Sequence, residues 1–137
     1  MIEVINAHPG ASFGKKAIEQ LTRSVLRGEK KRARELTIVF VGDREMRRLH
    51  REFLSRDYAT DVMSFPLDDH EEIEAEVYVN VDQARRQAPE YGASLTREVY
   101  RLVVHGILHL VGFNDKTGSQ RDHMRRREDK YIQWKNR

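Results

Sequence analysis

Two histidines and an aspartate in the last third of the chain have the types and the spacing of metal ligands. His105 and His109 are four residues apart in the string H-G-I-L-H-L-V-G-F-N-D, which ends at Asp115. On a helix, residues four apart project from one face, so both imidazoles could reach one ion at about 2.0–2.1 Å. Because Gly112 would end the helix and turn the chain, we expect the Asp115 carboxylate to fold back towards the pair. Two imidazoles and a carboxylate suit zinc, or another borderline divalent metal, and leave a fourth position for water.

A structural interpretation of the two histidines stays open at this point. Buried imidazoles need hydrogen-bond partners, and backbone carbonyls could satisfy His105 and His109 without any ion. His123 is a rival third ligand, eighteen residues beyond His105, although a surface position is the simpler expectation for it. Gly106 stands where the zinc-peptidase signature H-E-x-x-H carries its general base, which argues against peptidase chemistry. A metal-bound water with its pKa lowered to about 7 would instead serve as a nucleophile for hydrolysis.

The histidines lie in the most apolar predicted element, a helix over 95–112 that Ser94 caps. Since this helix is apolar nearly all round, it should be central and buried. Ser12 is predicted to cap the first helix, and Pro66 to end the third strand or place it at a sheet edge. The order of elements predicts a single α/β domain over residues 1–137, with a four-stranded mixed sheet, about five helices and the metal site on the long central helix. Strand-like runs occupy 2–5, 35–41, 61–65 and 76–81, and the other helical patterns occupy 12–27, 46–53, 82–91 and 119–134.

Composition excludes several classes of protein. The chain of 137 residues has no cysteine, which excludes disulfide scaffolds, cysteine zinc sites and thiol catalysis. Its longest apolar segment is too short and too polar to span a bilayer, and its first residues do not resemble a secretory signal. We therefore expect a soluble, cytoplasmic protein without a membrane partner. The net charge of +3 and a pI of about 9.3 suggest a polyanionic partner.

Basic residues concentrate in two clusters, one at the end of the first helix and in the segment that follows it, and one in the last helix. Such clusters neutralise phosphates and give salt-sensitive, sequence-independent affinity for nucleic acid. The alternative is a pair of solvated helix faces, on which Glu29, Asp122, Glu128 and Asp129 balance the charge. The first cluster is Arg23, Arg27, Lys30, Lys31, Arg32 and Arg34, and the second is Arg121, Arg125, Arg126, Arg127 and Lys130.

Two motifs together resemble those of the YbeY family, bacterial metal-dependent endoribonucleases implicated in ribosomal RNA maturation and ribosome quality control. The pattern H-G-x-x-H-L-x-G lies on residues 105–112, and the strand motif T-D-V-x-S-F-P lies on residues 60–66. The resemblance implies a single-strand endoribonuclease that matures small-subunit ribosomal RNA, with His105, His109 and Asp115 as metal ligands and catalytic residues. It also implies one zinc ion, and ribosomal RNA, the small ribosomal subunit and its proteins as partners. The alternative is a non-catalytic, ribosome-associated RNA-binding protein with a structural metal.

The sequence departs from the family pattern at two places in the site. The usual third zinc ligand is a histidine, so Asp115 at that position could shift the metal preference towards harder ions. An arginine that commonly precedes the T-D-V strand falls on Leu54 here, with Arg56 nearby as a candidate replacement. Asp61 and Ser64, on the third strand, are further candidates for substrate binding, although Asp61 could simply begin the strand. Whether water or the ribose 2′-hydroxyl attacks the phosphate is left open.

Overall fold

A computed structural model describes residues 1–54, 59–68 and 71–135. Their element order and their four-stranded mixed sheet confirm the predicted fold class. The sheet order is β1-β2-β4-β3, in which β1, β2 and β4 are parallel and β3 is antiparallel to β4. Pro66 lies within β3, an edge strand, as its missing N–H requires. The strands are β1 (Ile2–Asn6), β2 (Ala33–Val41), β3 (Val62–Asp68) and β4 (Ile73–Asn80).

Helices cover both faces of this sheet. Alternate strand residues point to opposite faces, so the apolar residues of β2 divide between two cores. The helices are α1 (Lys15–Gly28), α2 (Asp43–Leu54), α3 (Val81–Gln87), α4 (Leu95–Leu110) and α5 (Gly118–Lys135), with a 3₁₀ turn at Ala88–Tyr91. One core lies under α1, α4 and α5, and a smaller one lies under α2. No helix of the described ranges is both long and apolar enough to cross a membrane.

The long helix α4 is the buried centre of the larger core, as its composition predicts. Val99, Val103 and Ile107 are fully buried on it. Ser94 caps its first turn, because the Ser94 side chain accepts a hydrogen bond from the Arg97 N–H at 3.1 Å. This central position holds the two histidines of α4 on a rigid element beside the sheet.

Gly106 sets how closely α4 approaches the sheet. A Cβ at this position would lie 2.6 Å from Cγ1 of Val77 and 3.1 Å from Cγ2 of Val62. The approach also lets the Ser64 hydroxyl donate a hydrogen bond to the Gly106 carbonyl at 2.8 Å. Glycine within a helix costs about 1 kcal/mol relative to alanine, and close packing against β3 and β4 is what requires it here.

The start of the first helix differs from the prediction. Ser12 does not cap it, because α1 begins at Lys15 and its N-cap residue is Gly14, which makes no side-chain capping hydrogen bond. The preceding loop is held instead by Asn6, whose side chain donates to the Phe13 carbonyl at 3.0 Å and accepts from the Phe13 N–H at 2.9 Å. Because these hydrogen bonds hold the loop between β1 and α1 at Phe13, the helix starts later than its local sequence indicates.

Candidate metal centre

Three ligand atoms converge at the C-terminal end of α4. The Nε2 atoms of His105 and His109 are 3.0 Å apart, and Oδ2 of Asp115 lies 3.3 Å from each of them. Tetrahedral ligands at about 2.0–2.1 Å from zinc lie about 3.3–3.4 Å from one another. The three atoms therefore have nearly the spacing of one face of a tetrahedral zinc site.

The turn that follows α4 brings the aspartate back to the histidines. Gly112 has a φ of +105°, a conformation that glycine adopts at little cost. The N–H of Phe113 donates to the Leu108 carbonyl at 3.0 Å and reverses the chain at this point. The predicted helix boundary was two residues too late, since α4 ends at Leu110, but the predicted glycine turn is confirmed.

Hydrogen bonds fix both imidazole rings with Nε2 directed at the convergence point. Nδ1 of His105 lies 2.6 Å from Oε2 of Glu128, and Nδ1 of His109 lies 3.0 Å from the Phe113 carbonyl oxygen. Both partners are acceptors, so Nδ1 is the donor on each ring, and Nε2 is the atom that each ring can offer to a metal ion. A carboxylate oxygen faces these two nitrogen atoms, and a bound cation would satisfy all three. The donor set therefore fits a divalent ion better than a purely structural role.

A buried network of charged side chains lies on the Nδ1 side of His105. Glu128 is 1% exposed, and its Oε1 accepts a hydrogen bond from Arg101 at 2.9 Å. Arg101 also donates from Nε to Oε1 of Glu98 at 2.9 Å. Burial disfavours the charge of Arg101, but the two glutamates outweigh it and raise the pKa of its guanidinium. One arginine between two carboxylates leaves net negative charge beneath the histidine.

This charge makes His105 attractive to cations. Burial acts to lower the pKa of the His105 imidazole, but the hydrogen bond and the charge of Glu128 act against it. Together with the charges of Asp61 and Asp115, they raise the pKa of His105 above its usual value. The same field favours a metal ion at Nε2, because a cation and a proton respond alike to nearby carboxylates.

Two of the metal ligands, His105 and Asp115, open onto a cleft of about 440 Å³ between α4, α5 and the segment that precedes β3. Asp61 lies in its wall, with Oδ2 accepting a hydrogen bond from Gln87 at 3.2 Å. Ser64 does not line this cleft, and its hydroxyl donates a hydrogen bond to the Gly106 carbonyl of α4. Arg56 lies outside the described residues. The cleft is lined by Asp61, Tyr91, Arg101, His105, Asp115, Arg121, Asp122, Met124, Arg125 and Glu128.

His123 does not join the convergent group. It is exposed, and its ring stacks on Phe113 with centroids 5.5 Å apart. It lines a separate depression with Gly112 and Asn114. Of the predicted candidates for third ligand, the described residues thus bring only Asp115 to the two histidines of α4.

Sequence reasoning missed the role of Glu128, which it named only as one of the acidic residues that would balance charge if the basic clusters were solvated helix faces. A usable signal was present in the spacing along α5. Met124, Glu128, Tyr131 and Ile132 follow the spacing of one helix face, and all four are buried. A glutamate on an apolar helix face needs a buried partner of opposite charge. Arg101, on the apolar helix α4, needs such a partner as well.

The second basic cluster divides between two places. Arg121 and Arg125 line the cleft beside the metal ligands, whereas Arg127 forms an ion pair with Glu29 at the end of α1. The first cluster lies elsewhere, since Arg23 and its neighbours line a different depression near the N-terminus. The cleft therefore receives only part of the positive charge that the sequence predicts for nucleic-acid binding.

Comparisons with known proteins agree with the geometry. The family model of endoribonuclease YbeY matches residues 4–135. An endoribonuclease YbeY of Chloroherpeton thalassium is 42% identical over 118 residues, which are 86% of this chain and 81% of the relative. One of Salinibacter ruber is 35% identical over 140 aligned positions and covers 96% of this chain and 89% of its own. The solution structure of TM1509 from Thermotoga maritima superposes with a TM-score of 0.66 at 25% identity, and covers 99% of this chain and 93% of that protein.

Proposed function

Because the chain belongs to the YbeY family, we propose that it is a metal-dependent endoribonuclease that cleaves single-stranded RNA. His105, His109 and Asp115 hold the metal in this proposal, and the whole chain forms one metallohydrolase domain. The observation that carries it is the convergence of two Nε2 atoms and one carboxylate oxygen at 3.0–3.3 Å. This convergence lies in the wall of an open cleft, where a substrate has access to it.

The ion is one zinc in this proposal, with a harder divalent metal as the alternative that Asp115 permits. When bound, it would lower the pKa of a coordinated water and polarise a phosphodiester oxygen. His105 and His109 present neutral imidazoles to it, since Glu128 and the Phe113 carbonyl hold the Nδ1 protons. The Asp115 carboxylate neutralises part of the positive charge of the ion.

Asp61 is the proposed contact to the reacting ribose. Its Oδ2 is held by Gln87, and its Oδ1 is available in the same cleft wall as His105 to accept a hydrogen bond from a ribose hydroxyl. This role is compatible with attack by water or by the 2′-hydroxyl group. The products distinguish the two routes, because 2′-hydroxyl attack leaves a 2′,3′-cyclic phosphate. Ser64 stays a weaker candidate for substrate binding, since its donor already serves Gly106.

The proposed substrate is the RNA of the small ribosomal subunit, during its maturation and quality control in the cytoplasm. The family assignment supports this, and so do the arginines at the cleft. Subunit proteins are the expected macromolecular partners. Arg56 remains the candidate to replace the family arginine.

Metal content and RNA cleavage, measured on the same preparations, test this function. Untagged protein purified without chelator is analysed by mass spectrometry beside His109→Ala, Asp115→Ala and His123→Ala. We expect about one zinc per chain in the wild type and in His123→Ala, whose histidine lies off the site. Both ligand variants should lose the metal and the cleavage of single-stranded RNA.

Two outcomes would contradict the proposal. A wild type that stays empty after zinc is supplied would mean that Asp115 does not complete the site. A metal-loaded wild type that binds RNA without cutting it would favour the non-catalytic alternative with a structural metal. Circular dichroism of each variant establishes whether a loss of cleavage reflects unfolding.

A further inference from the structure

Three arginines line the metal cleft, and their guanidinium groups are engaged in different ways. Arg101 is buried and directed at Glu98 and Glu128. Arg121 donates from Nη1 to the carbonyl oxygens of Asp115 and Lys116, at 3.4 and 3.1 Å, and so braces the loop that carries the metal ligand. Arg125 donates to neither a carboxylate nor a backbone carbonyl of the described residues. Of these three guanidinium groups, it is therefore the one available to a ligand.

The guanidinium of Arg125 lies over an aromatic ring. Its Cζ is 3.9 Å from the ring centroid of Tyr91, and no carboxylate of the described residues is within ion-pair distance of it. A cation–π contact uses the flat face of the group. The five N–H donors lie in the plane of a guanidinium, so this contact leaves them available at the cleft.

Tyr91 is itself held in place by the fold. It ends the 3₁₀ turn, where Gly92 has a φ of +62° and donates to the Pro89 carbonyl at 3.1 Å. The Cζ of buried Arg101 lies 5.0 Å from the same ring. The ring is 48% exposed, so it acts as a fixed platform at the surface on which Arg125 rests.

The charge of the cleft identifies the ligand. Asp61, Asp115 and Asp122 line it with carboxylates, and Arg101 is neutralised by its two glutamates. An RNA backbone entering this cleft needs positive charge that is not already paired. A guanidinium binds phosphate through two parallel N–H groups, with charge-assisted hydrogen bonds.

We propose that Arg125, positioned by Tyr91, binds a phosphate group of the RNA strand that flanks the bond to be cut. This inference rests on the proposed function. It adds a phosphate subsite, on α5 and the 3₁₀ turn, that is separate from the metal ligands. Arg125 contacts the substrate in it, and Tyr91 acts through Arg125.

The test is binding of a fluorescent, single-stranded 2′-O-methyl RNA oligonucleotide to the zinc-loaded protein across a salt series. The variants are Arg125→Ala and, as a matched control, Arg126→Ala, which removes an exposed arginine of the same helix. We expect Arg125→Ala to bind about tenfold more weakly at low salt, in line with the loss of a charge-assisted hydrogen bond. Its plot of log affinity against log salt should be shallower by about 0.7, the slope for one phosphate contact on a single strand.

Further variants separate positioning from general charge. Tyr91→Phe keeps the ring and should bind within twofold of the wild type, whereas Tyr91→Leu should lose about threefold to fivefold. Arg125→Lys keeps the charge without the planar fork and should fall between wild type and Arg125→Ala. In a cleavage assay, Arg125→Ala should raise KM about tenfold and leave kcat within twofold.

The outcomes distinguish this subsite from the function on which it rests. If Arg125→Ala and Arg126→Ala have the same affinity and salt slope, the subsite is wrong while the endoribonuclease proposal stands. If the wild type binds neither this oligonucleotide nor unmodified single-stranded RNA at low salt, both proposals are wrong. Melting temperature and zinc content are measured for each variant, and Arg125→Lys with Tyr91→Leu decide the matter if Arg125→Ala is unstable.

Discussion

Two regions of this protein pair a histidine with an aspartate beside a surface depression, yet only one has the properties of a reactive site. At the ends of the parallel strands, Nε2 of His8 donates to Oδ1 of Asp82 at 2.8 Å, and Nδ1 of His8 accepts from the Gly10 N–H at 3.0 Å. The remaining oxygen of Asp82 accepts the N–H of Asp43 at 2.9 Å. Each polar atom of this pair therefore has a partner within the protein.

The metal centre has the opposite property. His105 and His109 each use Nδ1 for a hydrogen bond and direct Nε2 at each other and at Oδ2 of Asp115, so three metal-ligating atoms converge on one point. The depression at His8 is the larger, at about 720 Å³ against about 440 Å³ for the metal cleft. The convergence of three metal-ligating atoms on one point, and not the size of the depression or the proximity of a histidine to an aspartate, marks the site where an ion can bind.

The largest expected difference between the two regions is in metal affinity. Replacing Glu128 by glutamine removes the carboxylate that holds Nδ1 of His105, so zinc affinity should fall about 10- to 100-fold. The matched change at the other region, Asp82→Asn, should leave zinc affinity unchanged. Competition against a chromophoric chelator measures both. Equal zinc affinities for the two variants would contradict the role given to Glu128.

The next largest effect should be on stability, when the close packing between α4 and the sheet is disturbed. Gly106→Ala places a Cβ 2.6 Å from Cγ1 of Val77, and overpacking of this kind destabilises a protein by about 1–3 kcal/mol. Urea denaturation of the apoprotein measures the loss. The double variant Gly106→Ala, Val77→Ala gives the added methyl room, and should be less destabilised than the sum of its two single changes. Strict additivity would mean that the contact with Val77 is not the cause.

The pair at the strand ends should affect stability alone. His8→Ala removes the hydrogen bonds to Asp82 and to the Gly10 N–H, and should lower the free energy of unfolding by about 1–2 kcal/mol. Zinc content should stay that of the wild type. A loss of zinc in His8→Ala with an unchanged free energy of unfolding would reverse the assignment of the two regions.

The smallest effect concerns pH at the same strand ends. A two-pronged hydrogen bond from Arg86 outweighs burial and, together with Asn80, lowers the pKa of Asp43 from 3.8 to about 2. A pKa that is lowered on folding stabilises the native state above the unfolded pKa, and this contribution is lost as pH falls towards about 2. Asp43→Asn should therefore be slightly less stable than the wild type at pH 7, and this difference should disappear near pH 2. Denaturation at several pH values checks this, and a difference independent of pH would contradict it.

Local sequence patterns were sufficient to predict most of the helices and strands and the two histidines of the metal site. The apolar helix α4 and the spacing of His105 and His109 are properties of a few consecutive turns, and a histidine pair four residues apart shares one face wherever the helix lies. The glycine turn that returns Asp115 is also local. The sequence motifs were enough to indicate the family, and the order of the elements, the fold class and the candidate ligands could therefore be predicted without the structure.

The side chains that support those ligands become apparent only when the helices are packed together. Glu128 lies 23 residues from His105 along the chain, and its pairing with Arg101 depends on how α5 packs against α4. The start of α1 depended likewise on Asn6, and the contact of Arg125 with Tyr91 depended on a turn that precedes α4. Each of these contacts joins segments whose relative position depends on how the chain packs, and no local periodicity records it.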